Sequence, residues 1–227
     1  MRKISNESIV VFLTMLLISV LFSVAILKLT ILRIPLGAYE GIIATGSFVF
    51  IYFANCVFLY RIFFYFFPIK EGDISERTKA AFSHDVYSLF YLLIFRSVIC
   101  TSFVPTPIMR IVYLLLGAQL GANTYCTGII LDPPLTKIGS NTIIGQDALL
   151  YSHAIEGHFL SYKIIEIGDN VTVGAKSVIM SGVTIGSNSI LAAGAVVLKN
   201  TRIGSHEVWG GVPAKFIKRL NSSEITK

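Results

Sequence analysis

Apolar positions along this chain fall into two regimes. In the first 120 residues they come as long unbroken runs. In the second half they recur singly at a fixed interval. Ile9 to Leu27 is nineteen residues without a charge, and Gly41 to Tyr60 is twenty. A helix needs roughly 20 such residues to cross about 30 Å of hydrocarbon. Both runs therefore predict spanning helices, about 9–33 and 41–67. A cleaved signal peptide fits the first run poorly, because the run is too long and lacks an Ala-x-Ala-like site. Basic residues orient the pair. Arg2, Lys3, Arg61, Lys70, Arg77 and Lys79 fall on one side, and only Lys28 and Arg33 lie between the runs. Excess Lys and Arg marks the cytoplasmic face, so the second half is expected in the cytoplasm. A third segment, about 78–103, is apolar from Val86 to Phe95 but broken by Arg96. It predicts a helix in the interface or packed on the first two. Pro105 and Pro107 end it. Ile108 to Leu116 reads as a short helix stopped at Gly117, carrying Arg110 toward the head groups. Residues 1–115 thus form a predicted membrane domain, 116–220 a second domain, and 221–227 a tail.

The second half has a period of six. Aliphatic residues recur at Ile167, Val173, Ile179, Ile185, Leu191, Val197 and Ile203, with Trp209 next in phase. Ile138, Ile144 and Leu150 share the spacing upstream, and Leu120 and Cys126 continue it backwards. Glycine follows the aliphatic residue at 139, 145, 168, 174, 186, 204 and 210. Four residues after each aliphatic the side chain is small or branched, as at Val171, Ser177, Val183, Ser189, Ala195 and Thr201. One short strand plus one bend per six residues closes a three-sided coil, a parallel β-helix with the aliphatic residues stacked in its bore. Asn141, Asn170 and Asn188 sit where a bend needs φ > 0. Ordinary amphipathic strands would instead alternate with period two. Trp209 is expected to cap the bore, with a short C-terminal helix beyond the coil.

Composition narrows the class. The chain has 227 residues, 54% hydrophobic and only 14% charged, with mean hydropathy +0.72. That excludes a disordered chain, a coiled coil, a collagen and a disulfide-rich module. The net charge of +6 suits anionic head groups, phosphates or an acidic carrier. Cys56, Cys100 and Cys126 are scattered and read as reduced thiols. No Walker loop or G-x-G-x-x-G is present, so nucleotide hydrolysis and dinucleotide redox chemistry have no support.

The repeat, as in Ile138-Gly-Ser-Asn-Thr-Ile and Ile185-Gly-Ser-Asn-Ser-Ile, resembles that of the bacterial hexapeptide-repeat acyltransferases. The closing Gly211-Val-Pro-Ala-Lys-Phe-Ile-Lys is similar to that family's terminal G-x-P-A-K signature. The lead-in from Arg110 to Gly121 resembles sugar O-acetyltransferases and the membrane-bound terminal domain of poly-lysine synthetases, and the apolar helices fit the latter type better. The resemblance implies a left-handed β-helix, a homotrimer, and acyl transfer from a coenzyme A thioester, acetyl-CoA first, to a hydroxyl or amine. A multi-pass anchor in the bacterial inner membrane suggests an acceptor at the membrane face, such as a lipid-linked sugar, among membrane lipids. No nucleic-acid partner is expected. Two alternatives stand beside this: transfer of a long chain from acyl carrier protein, and a non-enzymatic trimeric membrane scaffold.

Function is expected where the repeat breaks. From Leu150 to Ile167 is seventeen residues, not a multiple of six. In the family, a histidine at the start of such a loop is the general base, and His153 is the match. Imidazole titrates near working pH, which suits it to take the proton of an attacking hydroxyl or amine. Glu156, three residues on, is the expected orienting carboxylate. His158 is a weaker candidate for acceptor contact. His153 and His158 also resemble part of the zinc site of β-helical carbonic anhydrases, which needs a third histidine from an earlier coil. No histidine lies between Leu116 and Ser152, so no metal is expected. The other break is Asp132-Pro133-Pro134. Counting by six puts Asp132 in the bore, where a lone carboxylate is costly. Either the prolines distort the coil or Asp132 faces the acceptor pocket. By the resemblance, Ala175, Ala192, Ala193 and Gly194 would line the pantetheine groove between subunits, and Lys199 and Lys215 would meet nucleotide phosphates.

Overall fold

A computed structural model describes residues 3–35, 37–101, 104–157 and 159–221. The N-terminal half is helical. α1 (Asn6–Leu29) starts at Ser5, whose hydroxyl accepts from the Ser8 N–H. α2 (Glu40–Phe66) packs along it, and Asn55 Nδ2 donates to Ser23 Oγ between them at 2.9 Å. The apolar stretches 6–33 and 37–66 are long enough to cross a membrane, and most of their side chains are exposed. α3 (Lys79–Phe90) runs through a π turn at Tyr91–Phe95 into α4 (Arg96–Cys100). Its buried stripe of Val86, Tyr87 and Phe90 packs on the first two helices; Phe12 meets Phe90 edge-on at 5.0 Å and Phe90 meets Tyr60 at 5.8 Å. α5 (Thr106–Leu115) leads into the coil. Arg110 on it does not reach outward. Its Nη2 donates to the carbonyls of Leu120 and Gly121 at 3.3 and 2.9 Å, because helix and first coil share one corner.

The second half is a three-faced coil of parallel strands. β1 (Gly72–Asp73) precedes it. The first coil is β2 (Gln119–Leu120), β3 (Tyr125–Cys126) and β4 (Ile129–Ile130). The second is β5 (Thr136–Ile138), β6 (Ile143–Ile144) and β7 (Leu149–Leu150). After the inserted β8 (His153–Glu156) and β9 (Phe159–Tyr162), the third is β10 (Ile165–Ile167), β11 (Thr172–Val173) and β12 (Val178–Ile179). The fourth is β13 (Thr184–Ile185), β14 (Ile190–Leu191) and β15 (Val196–Val197). β16 (Arg202–Ile203), β17 (Glu207–Gly210) and β18 (Lys215–Arg219) close it. Face one stacks β2, β5, β10, β13 and β16; face two β3, β6, β11, β14 and β17; face three β4, β7, β12 and β15.

The period-six residues fill the bore as expected. Ile144, Leu150, Val173, Ile179 and Val197 are fully buried. Asn123, Asn141, Asn170 and Asn188 all take φ between +54 and +61° at the corner after face one. Their amides ladder, Asn123 to Asn141 and Asn170 to Asn188, each at 3.2 Å. One strand departs from the count. Ile130, not Asp132, pairs with Leu150 and points into the bore. The corner between β3 and β4 holds only Thr127 and Gly128, whereas the equivalent corner of the next coil runs from Gly145 to Ala148. Gly128 allows that short cut, since a Cβ there would lie 2.6 Å from the Ala148 carbonyl oxygen and 2.8 Å from Ile144 Cγ2. The two residues saved reappear at the next corner, where Pro133–Leu135 forms a 3-10 turn.

The expected C-terminal helix is absent among the described residues. β18 instead folds back antiparallel on β17, with Trp209 edge-on to Phe216 at 6.5 Å. The last coil ends in an open sheet edge, whose backbone groups need partners. The returning strand supplies them.

Candidate active site

The break after Leu150 is an antiparallel hairpin, in which His153 pairs with Tyr162 and Glu156 with Phe159. β1, from the link between α2 and α3, adds a third strand to β9. Ile155 and Phe159 at the tip are 69% and 80% exposed. Ser152 precedes the hairpin and is buried; its hydroxyl donates to the Leu135 carbonyl and its own carbonyl accepts from Ser181. His153 is thus mounted on a rigid corner.

The carboxylate that meets His153 is Asp132. His153 Nδ1 lies 2.7 Å from Asp132 Oδ2, and the same oxygen accepts the backbone N–H groups of Ser152 at 2.8 Å and His153 at 3.2 Å. The Asp132 side chain is 3% exposed, the His153 side chain 30%. The corner shift described above takes this carboxylate out of the bore and sets it under the hairpin. A Thr136 hydroxyl holds the Asp132 carbonyl at 2.9 Å. Three donors on one oxygen fix Nδ1 as the protonated nitrogen when the imidazole is neutral, which leaves Nε2 to accept a proton. Burial pulls the His153 pKa down, but the Asp132 hydrogen bond and charge raise it, and the result lies above the ordinary value. Tyr151 and Tyr162 flank the ring at 5.7 and 6.2 Å between centroids.

Glu156 does not take the orienting role expected of it. Residues three apart on a strand point to opposite faces, and Glu156 pairs with Lys199 on the far side. Both groups are well exposed, so this ion pair is worth little. Asp132, expected in contact with the acceptor, has its Oδ2 occupied by His153 and its two neighbouring amides instead. His158 lies outside the described residues. Ala175, Ala192, Ala193 and Gly194 gather at the corner between faces two and three, where Gly194 N–H donates to the Ala175 carbonyl at 2.8 Å. Lys199 lies at the next corner, beside the hairpin, and Lys215 starts β18 opposite Gly210. His153 and the small-residue corner therefore border opposite edges of face three and do not meet within one chain.

This coil is built of six-residue repeats and carries a buried Asp–His pair at an inserted hairpin. Residues 165–199 match the family model of the bacterial transferase hexapeptide (six repeats), and the resemblance drawn from the repeats is borne out. Gamma carbonic anhydrase 2, mitochondrial, of Arabidopsis thaliana is 36% identical over 104 residues, 46% of this chain and 32% of that protein. Delta-poly-L-ornithine synthetase of Acinetobacter baumannii (strain AB307-0294) is 26% identical over 113 residues, 48% of this chain and 8% of that protein. The chain thus spans about a third or less of the length of these curated relatives. Among solved structures, a hexapeptide-repeat acetyltransferase of Vibrio cholerae has TM-score 0.50 and 22% identity, covering 60% of this chain and 93% of that one. Galactoside acetyltransferase in complex with coenzyme A has TM-score 0.50 and 21% identity, covering 68% and 89%. These two likenesses establish the shared fold.

The carbonic anhydrase names raise a metal site again. Among the described residues no three His, Cys, Asp or Glu side chains gather to hold an ion. The described residues therefore do not fit a three-histidine zinc site.

Proposed function

We propose that this chain is a membrane-anchored acyltransferase that moves an acyl group, acetyl in the first instance, from a coenzyme A thioester to a hydroxyl or amine at the membrane face. The observation that carries this reading is the 2.7 Å contact of His153 Nδ1 with a buried Asp132. His153 Nε2 takes the proton as the acceptor oxygen or nitrogen attacks the thioester carbonyl. The tetrahedral intermediate collapses, the C–S bond breaks, and the imidazolium returns its proton to the departing thiolate. Asp132 orients the ring and stabilises the imidazolium; it is a positioning residue. The helices 6–33 and 37–66, apolar and exposed, anchor the coil, and the basic residues flanking them favour a cytoplasmic coil.

The working form is a trimer of left-handed coils. The outward residues support this. Face one presents Gln119, Lys137, Glu166, Thr184 and Arg202, all polar. Face two presents Tyr125, Ile143 and Ile190, each more than a third exposed, around Thr172, and face three presents Ile129, Leu149, Val178 and Val196. Two apolar faces on a soluble coil call for partner copies. A second copy also brings a small-residue corner to His153, which its own chain does not.

Thiol release from acetyl-CoA by the full-length protein, with sugar and amine acceptors, tests the reading. His153→Ala is expected to abolish turnover and leave the trimer intact. Transfer from acyl carrier protein but not from coenzyme A assigns the other donor. Turnover unaffected by His153→Ala, or absent from the parent protein with either donor, favours a scaffold.

A further inference from the structure

Helix α3 reaches both members of the His153–Asp132 pair. His84, Tyr87 and Tyr91 follow one another at spacings of three and four, which puts them on one stripe facing the coil. Tyr87 is 4% exposed, and its hydroxyl donates to the Leu131 carbonyl at 2.6 Å, one peptide before Asp132. Tyr91 donates to the Ile130 carbonyl at 3.0 Å. On the other side of the pair, His84 Nδ1 shares a 2.7 Å hydrogen bond with Tyr162 Oη. Tyr162 is 1% exposed, stands directly across the hairpin from His153, and meets its ring edge-on at an interplanar angle of 76°. The same helix is tied to the start of the first apolar span, where buried Asp85 accepts from Ser5 N–H at 3.0 Å and Ser8 Oγ at 3.5 Å.

We propose that His84 and Tyr87 are positioning residues: Tyr87 sets the carboxylate through the Leu131 carbonyl, His84 sets the imidazole through Tyr162, and α3 thereby makes the geometry of the pair depend on the seating of the membrane helices. This rests on His153 being the general base. Buried tyrosine hydroxyls also join the two halves elsewhere, as Tyr113 does at the Gly128 carbonyl at 2.8 Å. That bond sits at the short corner that places Asp132, so the control is taken on Arg110, whose Nη2 joins the two halves at the Leu120 and Gly121 carbonyls and grips neither partner. The titratable groups facing the imidazole are Asp132, Tyr151 and Tyr162, with His84 behind Tyr162.

The experiment uses the full chain in lipid nanodiscs, with acetyl-CoA as donor and kcat followed against pH. Tyr87→Phe removes only a hydroxyl, and His84→Phe keeps an aromatic ring while removing the nitrogens that meet Tyr162 and Ser88. Each is expected to lower kcat about tenfold at unchanged KM for acetyl-CoA, the size of a sub-ångström misplacement. Tyr87→Phe is further expected to move the kcat–pH midpoint down, since an imidazole less tightly held by Asp132 titrates lower. Arg110→Met should lower thermal stability and leave the midpoint where it was. Wild-type kcat in both α3 variants, or a loss with an unmoved midpoint in Tyr87→Phe, overturns the proposal. A parent protein without turnover, or turnover surviving His153→Ala, overturns the transferase reading itself.

Discussion

Replacing Asp132 by Asn removes one charge and keeps the shape of the side chain. The outcome follows from where the donors point. Ser152 N–H, His153 N–H and His153 Nδ1 all converge on Oδ2. An Asn amide nitrogen in that place would face two backbone N–H groups, so the amide oxygen takes the place of Oδ2. The tautomer of His153 is therefore kept, and only the stabilisation of the imidazolium is lost. A hydrogen bond to a charged group contributes about 1.5–3 kcal/mol against about 1 kcal/mol for a neutral one, so kcat is expected to fall about tenfold in Asp132→Asn. Burial, which lowers the His153 pKa, then acts unopposed by the charge, and the kcat–pH midpoint moves down. Asp132→Ala removes the acceptor altogether and loses the orientation as well, with a drop nearer 10²–10⁴-fold, the usual share of general base catalysis. The assay is thiol release from acetyl-CoA between about pH 5 and pH 9, with both variants beside the parent. Stability follows the same linkage. The folded His153 pKa lies above the unfolded value, so the pair stabilises fully below the ordinary imidazole value of about 6.5 and loses this as pH rises through the raised one. The Tm gap between parent and Asp132→Asn should be wide near about pH 6 and narrower near about pH 9. An Asn variant as inactive as the Ala variant, or one with an unmoved midpoint, refutes the reasoning.

Three further outcomes are expected. Gly128→Ala drives a Cβ to 2.6 Å from the Ala148 carbonyl oxygen, so the short corner must open; a loss of about 1–3 kcal/mol in denaturant unfolding is expected, with kcat falling too because Asp132 moves. Glu156→Gln breaks only the exposed pair with Lys199, and both kcat and Tm should stay within error of the parent, since such pairs contribute about 0–1 kcal/mol. Ile143→Glu on face two and Val178→Glu on face three put a carboxylate on the two apolar faces; dissociation of the trimer with loss of turnover is expected in sedimentation and thiol-release assays, and a trimer that survives both substitutions sinks the assembly.

The bore, the asparagine corners and the place of the hairpin were legible because each rests on a repeated local rule. Leu120 to Ile138 is the full eighteen residues of one coil, and that regularity hid the one irregularity that matters. A corner two residues short is followed by one two residues long, so counting across the coil returns the correct total with the wrong inward residue. The apolar run Ile129-Ile130-Leu131 just before Asp132 carried a signal that the strand stood earlier than the count. Glu156 looks like an orienting carboxylate only as long as the segment is a loop; strand alternation separates it from His153 at once. Lys215–Arg219 is too short for helix and strand to be told apart by periodicity, and the open sheet edge decided it. The contributions of His84 and Tyr87 had no local signature, since each depends on a contact across 44 residues or more.

The displacement of Asp132 also explains why the site stands at this coil. A carboxylate left in the bore would need a buried partner, and the bore offers only aliphatic side chains. Moved out by a short corner, the same carboxylate meets two backbone amides and an imidazole. The amides belong to the first residues after β7, where the chain has already left the coil to make the hairpin. The corresponding corners of the next two coils, 180–183 and 198–201, carry no carboxylate to orient an imidazole. The shift and the insertion thus depend on one another.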